Sequence, residues 1–494
     1  MFNLNGDIFY LIFEELRNDK KTLRSCISVN KTWSEIIVPI LWKNPWKYLK
    51  KGNENLFLNV IISHSTNKKL INNLTQRYEF LTNLYDKPLF DYISLCRHLN
   101  LNEIEKIINN NINNVTEENE ILNVRQEILK LFINGNTKFT HIYISQQFNY
   151  KIHNIFEINR CFSEIGCISC STNIDNEVLN GLTRLCKFIR ELELFVEDDN
   201  NNHEIFKLIE APKKLFNIRL ITKYHYKVDE SYCEILENSL IKHANIIQNF
   251  TITNIPVPKI LTSFVNLKKL ELDDNFNELK TCDWLEKLSF PFLQVLKARR
   301  VPIKSLITII ENSRGYLTEI NIDYVSHDVI NNKKILQAIY QNCKNLKYLK
   351  LVIRNDNILE LENLLINCQY LSGLYILVNN MSDSNNKKHN DKVIDWDHLF
   401  EVLAKFSPSC LFKFKFYFNK APKLDSIKLF LDNWKGRHPI LLQTTPLYCS
   451  STYCLNNIDF IERYKAEGII EKYENVSYGQ TFDDFEWIQK NLVN

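Results

Sequence analysis

The sequence is poor in the residues that make tight turns: its 494 residues include only 10 glycines and 12 prolines. Sandwiches and barrels of short strands need frequent turns, so this scarcity favours helices or a solenoid. Basic and acidic residues nearly cancel, with 61 Lys and Arg against 58 Asp and Glu. Because there is also no long basic block, the charge gives no sign of nucleic-acid binding and names no partner.

Segments that would direct the chain into or across a membrane are also missing. The first residues, MFNLNGDIFYLIFEEL, carry acids where a signal peptide needs basic residues. No apolar run approaches the roughly 20 residues needed to span a bilayer. The 13 cysteines are scattered from Cys26 to Cys454, without the dense spacing of a secreted disulfide scaffold. We therefore expect a reduced, intracellular protein, cytoplasmic or nuclear, that binds no membrane.

The common motifs of catalysis and metal binding are absent. The sequence contains no H-E-x-x-H, G-x-S-x-G, G-x-x-x-x-G-K-[ST] or G-x-G-x-x-G. Cys167 and Cys170 form a Cys-x-x-Cys, but on a strand they would point to opposite faces and could not chelate one zinc ion. The acidic cluster of Asp483, Asp484 and Glu486 is interpreted as part of a solvated helix or tail. We therefore expect no catalytic residue, cofactor or metal site. The absence of motifs does not exclude a catalytic site built from residues distant in sequence.

The first 42 residues predict three short helices. Ile8, Leu11, Ile12 and Leu16 lie at helical spacing, with Phe9 and Phe13 as a second apolar stripe. A second helix is predicted from about Lys20 to Val29, and a third from Thr32 to Ile37, with Thr32 as N-cap and Glu35 completing a capping box. Pro39 should end the third helix and force an extended exit through Ile40 to Trp42. So much apolar surface on so small a unit indicates an interface.

The order of these residues resembles the F-box family. The matching positions are Leu4, Asp7, Ile8, Phe9, Ile12, Phe13, Leu16, Leu23, Val29, Lys31, Trp33, Pro39, Leu41 and Trp42, with Asn5 where the family usually has proline. The resemblance covers about a tenth of the chain. It implies docking on a Skp-type adaptor through Leu4, Ile8, Phe9, Ile12, Phe13, Leu16, Leu23, Val29, Trp33, Leu41 and Trp42.

A short apolar phrase recurs about every 25 residues in the rest of the chain. LCKFIRELELF, NCKNLKYLKLV and NCQYLSGLYIL share a Cys followed by aliphatic residues at fixed offsets, and looser copies surround them. The first aliphatic residue of each copy, here called its anchor, is Phe139, Ile165, Ile189, Leu215, Ile247, Leu267, Leu293, Leu317, Leu346, Leu371 or Leu411. One strand and one helix per repeat resembles cysteine-containing leucine-rich repeats, whose apolar strands are buried only by stacking.

These patterns predict an α/β solenoid preceded by a small all-α domain. Residues 1–45 should form the three-helix F-box, residues 46–136 a helical connecting segment, and residues 137–494 the leucine-rich-repeat-like domain. The one predicted strand within the connecting segment is LFDYISL, Leu89 to Leu95. The repeats should form a horseshoe with parallel strands on its concave face.

Strand alternation then assigns a concave face. Residues two, four and six after each anchor should point to it, which places Glu191, Glu193, Lys269, Glu271 and Asp273 there on the earlier repeats. Later repeats mix lysine with tyrosine, and tyrosine is common in interface cores. The residues expected to bind a protein substrate are Lys297, Arg299, Tyr348, Lys350, Tyr375, Lys413, Lys415 and Tyr417.

The resemblance implies a non-catalytic substrate receptor of a Skp/cullin/F-box ubiquitin ligase. The adaptor would link the chain to a cullin–RING ligase, and the repeats would hold an unknown protein substrate near the charged ubiquitin carrier. One alternative is an interaction scaffold that directs no ubiquitination. A second alternative is an enzyme or nucleic-acid-binding solenoid with a degenerate amino-terminal domain.

Overall fold

The computed structural model describes residues 5–68, 71–72, 88–111, 118–144, 158–185, 187–197, 202–222, 230–253, 259–273, 288–323, 328–378, 394–418, 421–446 and 458–475. Internal contacts divide the chain into two compact units. The first comprises Met1–Arg219 and Val228–Leu240, and the second comprises Leu220–Lys227 and Ile241–Asn494. No helix in the described ranges is long and apolar enough to cross a membrane.

Three helices open the first unit: α1 (Gly6–Glu15), α2 (Lys20–Ile27) and α3 (Lys31–Trp42). Phe13, Leu23, Ile37 and Ile40 are buried where the three helices meet, and Phe9 and Trp33 pack partly buried against them. The Trp33 ring lies edge-on to Phe13, with 5.2 Å between the ring centroids. One aromatic cluster therefore joins α1 to α3.

The third helix differs from its prediction at both ends. Its N-cap is Asn30, whose Oδ1 accepts a hydrogen bond from the backbone N–H of Trp33 at 2.9 Å, so the prediction of Thr32 as N-cap is wrong. The helix also continues through Pro39 to Trp42, and the predicted extended exit is wrong. Proline in a helix interior costs about 3 kcal/mol. Burial of Val38 and Ile40 around it offsets this cost, and Lys43 N–H bonds to the Pro39 carbonyl at 3.0 Å.

Asn30→Ala should lower the free energy of unfolding by about 1 kcal/mol, the usual value of an N-cap side chain. The matched control is Thr32→Ala in the first turn of the same helix, which should cost less than about 0.5 kcal/mol because Thr32 is exposed. Urea titration of both variants measures the difference. Equal costs would contradict the assignment of the cap to Asn30.

Three further short elements of the first unit follow α3. A 3₁₀ turn at Pro45–Tyr48 leads to helix α4 (Glu54–Ile62). Trp42 stacks on Phe57 of α4 with 5.6 Å between ring centroids.

The predicted strand Leu89–Leu95 is wrong: the structure has a one-turn helix at Tyr92–Leu95, capped by Asp91 Oδ1. Aromatic and β-branched residues favour a strand there, but the aspartate cap and burial of Ile93 favour the helical turn.

The described residues form a parallel sheet of 14 strands in sequential order. Its strands are β1 (His98–Asn100), β2 (His141–Ile144), β3 (Cys167–Ser171), β4 (Glu191–Val196), β5 (Asn217–Thr222), β6 (Asn249–Thr253), β7 (Lys269–Asp273), β8 (Val295–Arg299), β9 (Glu319–Asp323), β10 (Tyr348–Ile353), β11 (Gly373–Val378), β12 (Lys413–Phe418), β13 (Ile440–Pro446) and β14 (Ile470–Asn475). The predicted fold class is confirmed: an unclosed α/β solenoid follows a helical region.

Helices alternate with these strands. They are Leu101–Asn111, Glu118–Phe132, Ile158–Cys161, Asn176–Leu185, Ile205–Glu210, Glu230–Ile241, Ile303–Glu311, Val329–Asn342, Ile358–Asn367, Trp396–Phe406, Leu424–Asn433 and Ile458–Ala466, with 3₁₀ turns at Leu16–Asn18, Lys259–Ser263 and Asn355–Asn357. In β12 the helices pack on one strand face, where Phe416 contacts Trp396 and Phe400. The alternation of helix and strand is consistent with leucine-rich repeats.

The predicted anchors mark the strands accurately. Every anchor is buried, and a strand begins two residues after each one, from Phe139 before β2 to Leu411 before β12. Strands β1, β13 and β14 were not predicted. The register places Cys96 and Pro439 at the anchor positions of β1 and β13, and neither residue is aliphatic. β14 was missed because its exposed, polar sequence IEKYEN lacks an apolar alternation.

Candidate functional site

Helix α1 presents an apolar surface to solvent. Ile8, Leu11 and Ile12 lie on one side of the helix and are 43%, 64% and 44% exposed, and Val29 after α2 is 57% exposed. We call Ile8, Leu11 and Ile12 the α1 apolar face. The opposite side of α1 holds Phe9 and Phe13 against Trp33. Residues three and four apart share a helix side, so the sequence itself separates the inner stripe from the outer one.

The residues expected to bind an adaptor therefore fall into different environments. Ile8, Ile12 and Val29 are exposed, whereas Phe13 and Leu23 are buried and hold the helices together. The partly buried members are Phe9, Leu16, Trp33, Leu41 and Trp42. Leu4 lies outside the described residues. Among the described members of the expected set, only the exposed and partly buried ones can touch a partner without unfolding the helices.

Leu41 and Trp42 line a cleft of about 650 Å³ between α2, the end of α3 and α4. Its lining also includes the apolar residues Ile27, Pro45, Leu56 and Phe57 and the basic residues Lys20, Lys21, Arg24 and Lys50. A cleft of this size and apolar character is typical of sites that accept a ligand or an anchoring side chain. Two of the expected adaptor residues are thus accessible from this side.

The residues expected to bind substrate share one strand face. In the parallel register, Lys350 lies beside Tyr375, and Tyr375 lies beside Lys415. Tyr348 and Lys413 lie two residues before Lys350 and Lys415 on their strands, and Tyr417 lies two residues after Lys415, so all three share the strand face of this row. We call these six residues of β10, β11 and β12 the lysine–tyrosine face. Leu349, Leu374 and Phe414 alternate with them along the three strands.

The lysine–tyrosine face is buried within the chain. Lys350, Lys413 and Tyr375 are 0% exposed, and the three other members are 7% exposed or less. The sequence suggests a surface open to a partner, but this part of it is closed in the structure. Its role in substrate binding stays a prediction, and a substrate could reach these side chains only after the face is uncovered.

Ion pairs cross the neighbouring strands. Lys297 Nζ lies 3.3 Å from a carboxylate oxygen of Glu319 and 3.8 Å from one of Glu271. Arg299 lies 3.6 Å from Asp273. Burial alone would raise the pKa of Glu271, but Lys269 and Lys297 hold this pKa below its usual value. Two residues expected to bind substrate, Lys297 and Arg299, therefore already bind carboxylates of their own sheet.

Within the lysine–tyrosine face, ammonium groups pack on aromatic rings. Lys350 Nζ and Lys415 Nζ each lie 4.6 Å from the centroid of the Tyr375 ring. Cation–π contacts of this kind contribute more when desolvated, about 2 kcal/mol or more. Burial lowers the pKa of Lys413 to about 8, although Glu471 opposes this shift. Burial, with Glu319, raises the pKa of Tyr348 to about 12.

The same strand face in the first unit is more accessible and was not predicted as a site. His98 of β1 stacks on His141 of β2 with 3.8 Å between ring centroids. Asn44 Nδ2 donates to His98 Nδ1 at 3.3 Å, and the Tyr143 hydroxyl lies 3.1 Å from the same nitrogen. Trp46 Nε1 donates to the His98 carbonyl. His98 was not predicted because the anchor position of its strand is Cys96, which is not aliphatic.

The histidine pair should make stability sensitive to pH. Burial, with His141, Lys43 and Lys47, lowers the pKa of His98 to about 3, and burial with Lys43 also lowers the pKa of His141 against the opposing charge of Glu191. A histidine with a lowered folded-state pKa stabilises the fold fully above its unfolded pKa, near 6.5, and this contribution is lost as the pH falls towards 3.

His98→Gln should therefore flatten the decline in stability between pH 6.5 and pH 4. The slope lost is at most about 1.4 kcal/mol per pH unit, the limit for one proton, and solvent access to the ring reduces it. Guanidinium titrations of wild type and variant at several pH values measure this slope. The exposed His438→Gln is the control and should keep the wild-type slope. The same slope in all three proteins would contradict a role for His98.

Cys343 and Cys368 of the repeats are buried and pack as small apolar residues. Burial raises the pKa of the Cys343 and Cys368 thiols to about 12, which keeps them protonated and unreactive. Cys167 and Cys170 lie three positions apart on β3. Within the described ranges, no group of three or more His, Cys, Asp and Glu residues could hold a metal ion.

Comparison with known proteins adds no family to these observations. The chain matches no protein-family model, and no curated protein is significantly similar to it in sequence.

Proposed function

We propose that this chain is the substrate-recognition subunit of a Skp/cullin/F-box ubiquitin ligase. The observation that carries the proposal is the α1 apolar face on a three-helix unit whose residues follow the F-box order. An apolar helix side that remains exposed beside a complete core is a common feature of protein-binding surfaces. The solenoid supports the second half of the proposal, since stacked repeats offer an extended surface for a protein substrate.

In this proposal the chain performs no chemistry. The helical region binds the adaptor, the adaptor connects it to the cullin–RING ligase, and the solenoid holds the substrate. Tethering raises the effective concentration of substrate lysines near the charged ubiquitin carrier. The accessible residues of β1–β4, together with any part of the lysine–tyrosine face that becomes uncovered, are the proposed substrate contacts.

Leu11→Asp and Ile12→Asp should abolish capture of a Skp-type adaptor by the full chain. Each places a charge in the centre of the α1 apolar face, where loss of a central contact weakens binding by 2 kcal/mol or more, about thirtyfold. Co-purification with the adaptor measures the effect. Leu359→Asp is the matched control, because Leu359 is an equally exposed helical leucine of the second unit, 64% exposed.

The controls separate the possible outcomes. Leu23→Asp is unsuitable as a test because Leu23 is buried and its loss would unfold the helices. No capture by the folded wild-type chain would contradict adaptor binding. Capture without ubiquitination of a bound partner in a reconstituted ligase would favour the alternative, an interaction scaffold.

A further inference from the structure

The turns that lead into strands β7–β11 of the second unit carry an exposed row of large apolar residues. Val265, Phe292, Tyr316 and Tyr370 are 49%, 44%, 50% and 62% exposed. Each of the three aromatic residues stands directly before the buried anchor of its repeat, and Val265 stands two residues before one. Because the repeats stack in sequential order, these residues lie along one edge of the sheet, where the strands begin. We call the five turns the turn edge.

The turn edge carries positive charge and no negative charge. Its five turns contain four basic residues and no Asp or Glu: residues 264–268, 288–294, 312–318, 343–347 and 368–372. The basic residues are Lys268, Arg314, Lys344 and Lys347, and all four are exposed. They form no ion pair with any residue that the structure describes. Their charges are therefore available to a partner, unlike those of Lys297 and Lys350 on the strand face.

Hydrogen bonds between neighbouring repeats hold the turn edge in place. The backbone N–H of Lys347 donates to the Thr318 carbonyl, and that of Thr318 donates to the Gln294 carbonyl, each at 2.8 Å. Asn345 Nδ2 donates to the Gly315 carbonyl of the preceding turn at 3.2 Å. A surface whose backbone is already ordered loses little conformational entropy when it binds a partner.

Arg314 has a backbone conformation that suits glycine better than arginine. Its φ is 51°, in the left-handed region, and Gly315 follows with a φ of 78°. Glycine adopts a positive φ without the steric clash that a Cβ brings. The geometry of the turn therefore does not account for the arginine, whereas a binding role for its exposed charge does.

We propose that the turn edge binds an extended, acidic protein segment that carries large apolar side chains. The carboxylates of the segment would pair with the four basic residues, and its apolar side chains would pack on the exposed rings. From β7 to β11 the edge spans four strand spacings, about 19 Å, which about six extended residues cover. Naming this segment as part of the substrate rests on the proposed function.

Two observations favour a protein segment over a nucleic acid. The rings of Phe292 and Tyr316 lie 6.1 Å apart with a tilt of 45°, so they pack on each other, whereas bases stack on open aromatic faces. The net charge of the chain is only +3, far from the strongly basic balance that is typical of nucleic-acid-binding domains. Tyrosine and arginine together are common in protein interfaces.

Fluorescence anisotropy of the full chain with a labelled peptide of repeated Glu-Glu-Phe tests the proposal. We expect saturable binding that weakens as salt is added. R314G/K344Q/K347Q should weaken binding by about tenfold or more, because three exposed ion pairs, each small alone, are lost together. The change of arginine to glycine removes a charge without straining the turn.

A matched control and a second variant separate charge from apolar contact. K304Q/K334Q/K428Q removes three exposed cations from helices of the same unit and should change the Kd by less than about twofold. Y316S/Y370S keeps every charge and should weaken binding of the same peptide by about tenfold, because the apolar side chains of the peptide lose the rings on which they pack.

Three results would overturn the proposal. They are no saturable binding of the peptide by the folded wild-type chain, equal affinities of the wild type and both triple variants, and tighter binding of a labelled oligouridylate than of the peptide, which would indicate a nucleic acid. The proposed function can fail separately. R314G/K344Q/K347Q should leave capture of the adaptor unchanged, and Ile12→Asp should leave binding of the peptide unchanged.

Discussion

Asp323→Ala should destabilise the protein by about 3–5 kcal/mol, because removal of one partner of a buried ion pair leaves the other charge buried without that partner. Asp323 Oδ2 accepts a hydrogen bond from Lys350 Nζ at 2.8 Å, and the two side chains are 5% and 1% exposed. In the variant the Lys350 ammonium would stay beside the Tyr375 ring without this carboxylate. Guanidinium unfolding of the full chain measures the loss.

Two controls separate the pair from its parts. The double variant Asp323→Leu/Lys350→Met removes both charges and should recover much of the lost stability, since an apolar pair of similar volume often replaces a buried ion pair without cost. Glu127→Ala breaks an exposed pair with Lys130 and should cost less than about 1 kcal/mol. A cost for Asp323→Ala no larger than that of Glu127→Ala would contradict the buried pair.

Local sequence determined the strands better than it determined the helix ends. Anchors such as Leu346 and Leu371 are aliphatic and buried because every repeat must fill the same position of a stacked core. β13 escaped prediction because Pro439 occupies that position. Pro39 led to a wrong prediction of the helix end. The free-energy cost of proline inside a helix predicts an end there, but burial of Val38 and Ile40 favours the longer helix.

Less of the candidate sites than of the strands could be predicted from the sequence. Helical spacing placed Ile8 and Ile12 on one apolar stripe and Phe13 on another, but it did not show that Phe13 is buried and the other two are exposed. Strand parity placed Lys350, Tyr375 and Lys415 on one face, but it could not show that the face is buried. Burial of this face is a property of the folded chain that the spacing of a repeat pattern does not encode.

Leu349→Ala should cost about 2–5 kcal/mol, the usual range for a leucine truncated in a packed core. Leu349 is 0% exposed and lies between Ile320 of β9 and Leu374 of β11 in the parallel register, so little space is available for the core to collapse around the cavity. Guanidinium unfolding measures the loss, and Leu359→Ala, which truncates an exposed helical leucine, should cost less than about 0.5 kcal/mol.

The result for Leu349 also tests the strand register on which the lysine–tyrosine face depends. A shift of one residue would exchange the two faces of β10 and move Lys350 into the layer that packs against the helices. A cost for Leu349→Ala similar to that of Leu359→Ala would mean that Leu349 is not in this core. A full core cost for Leu349→Ala, together with the expected effect of Asp323→Ala, requires both faces of β10 to be buried, one by helices and the other around a charged pair.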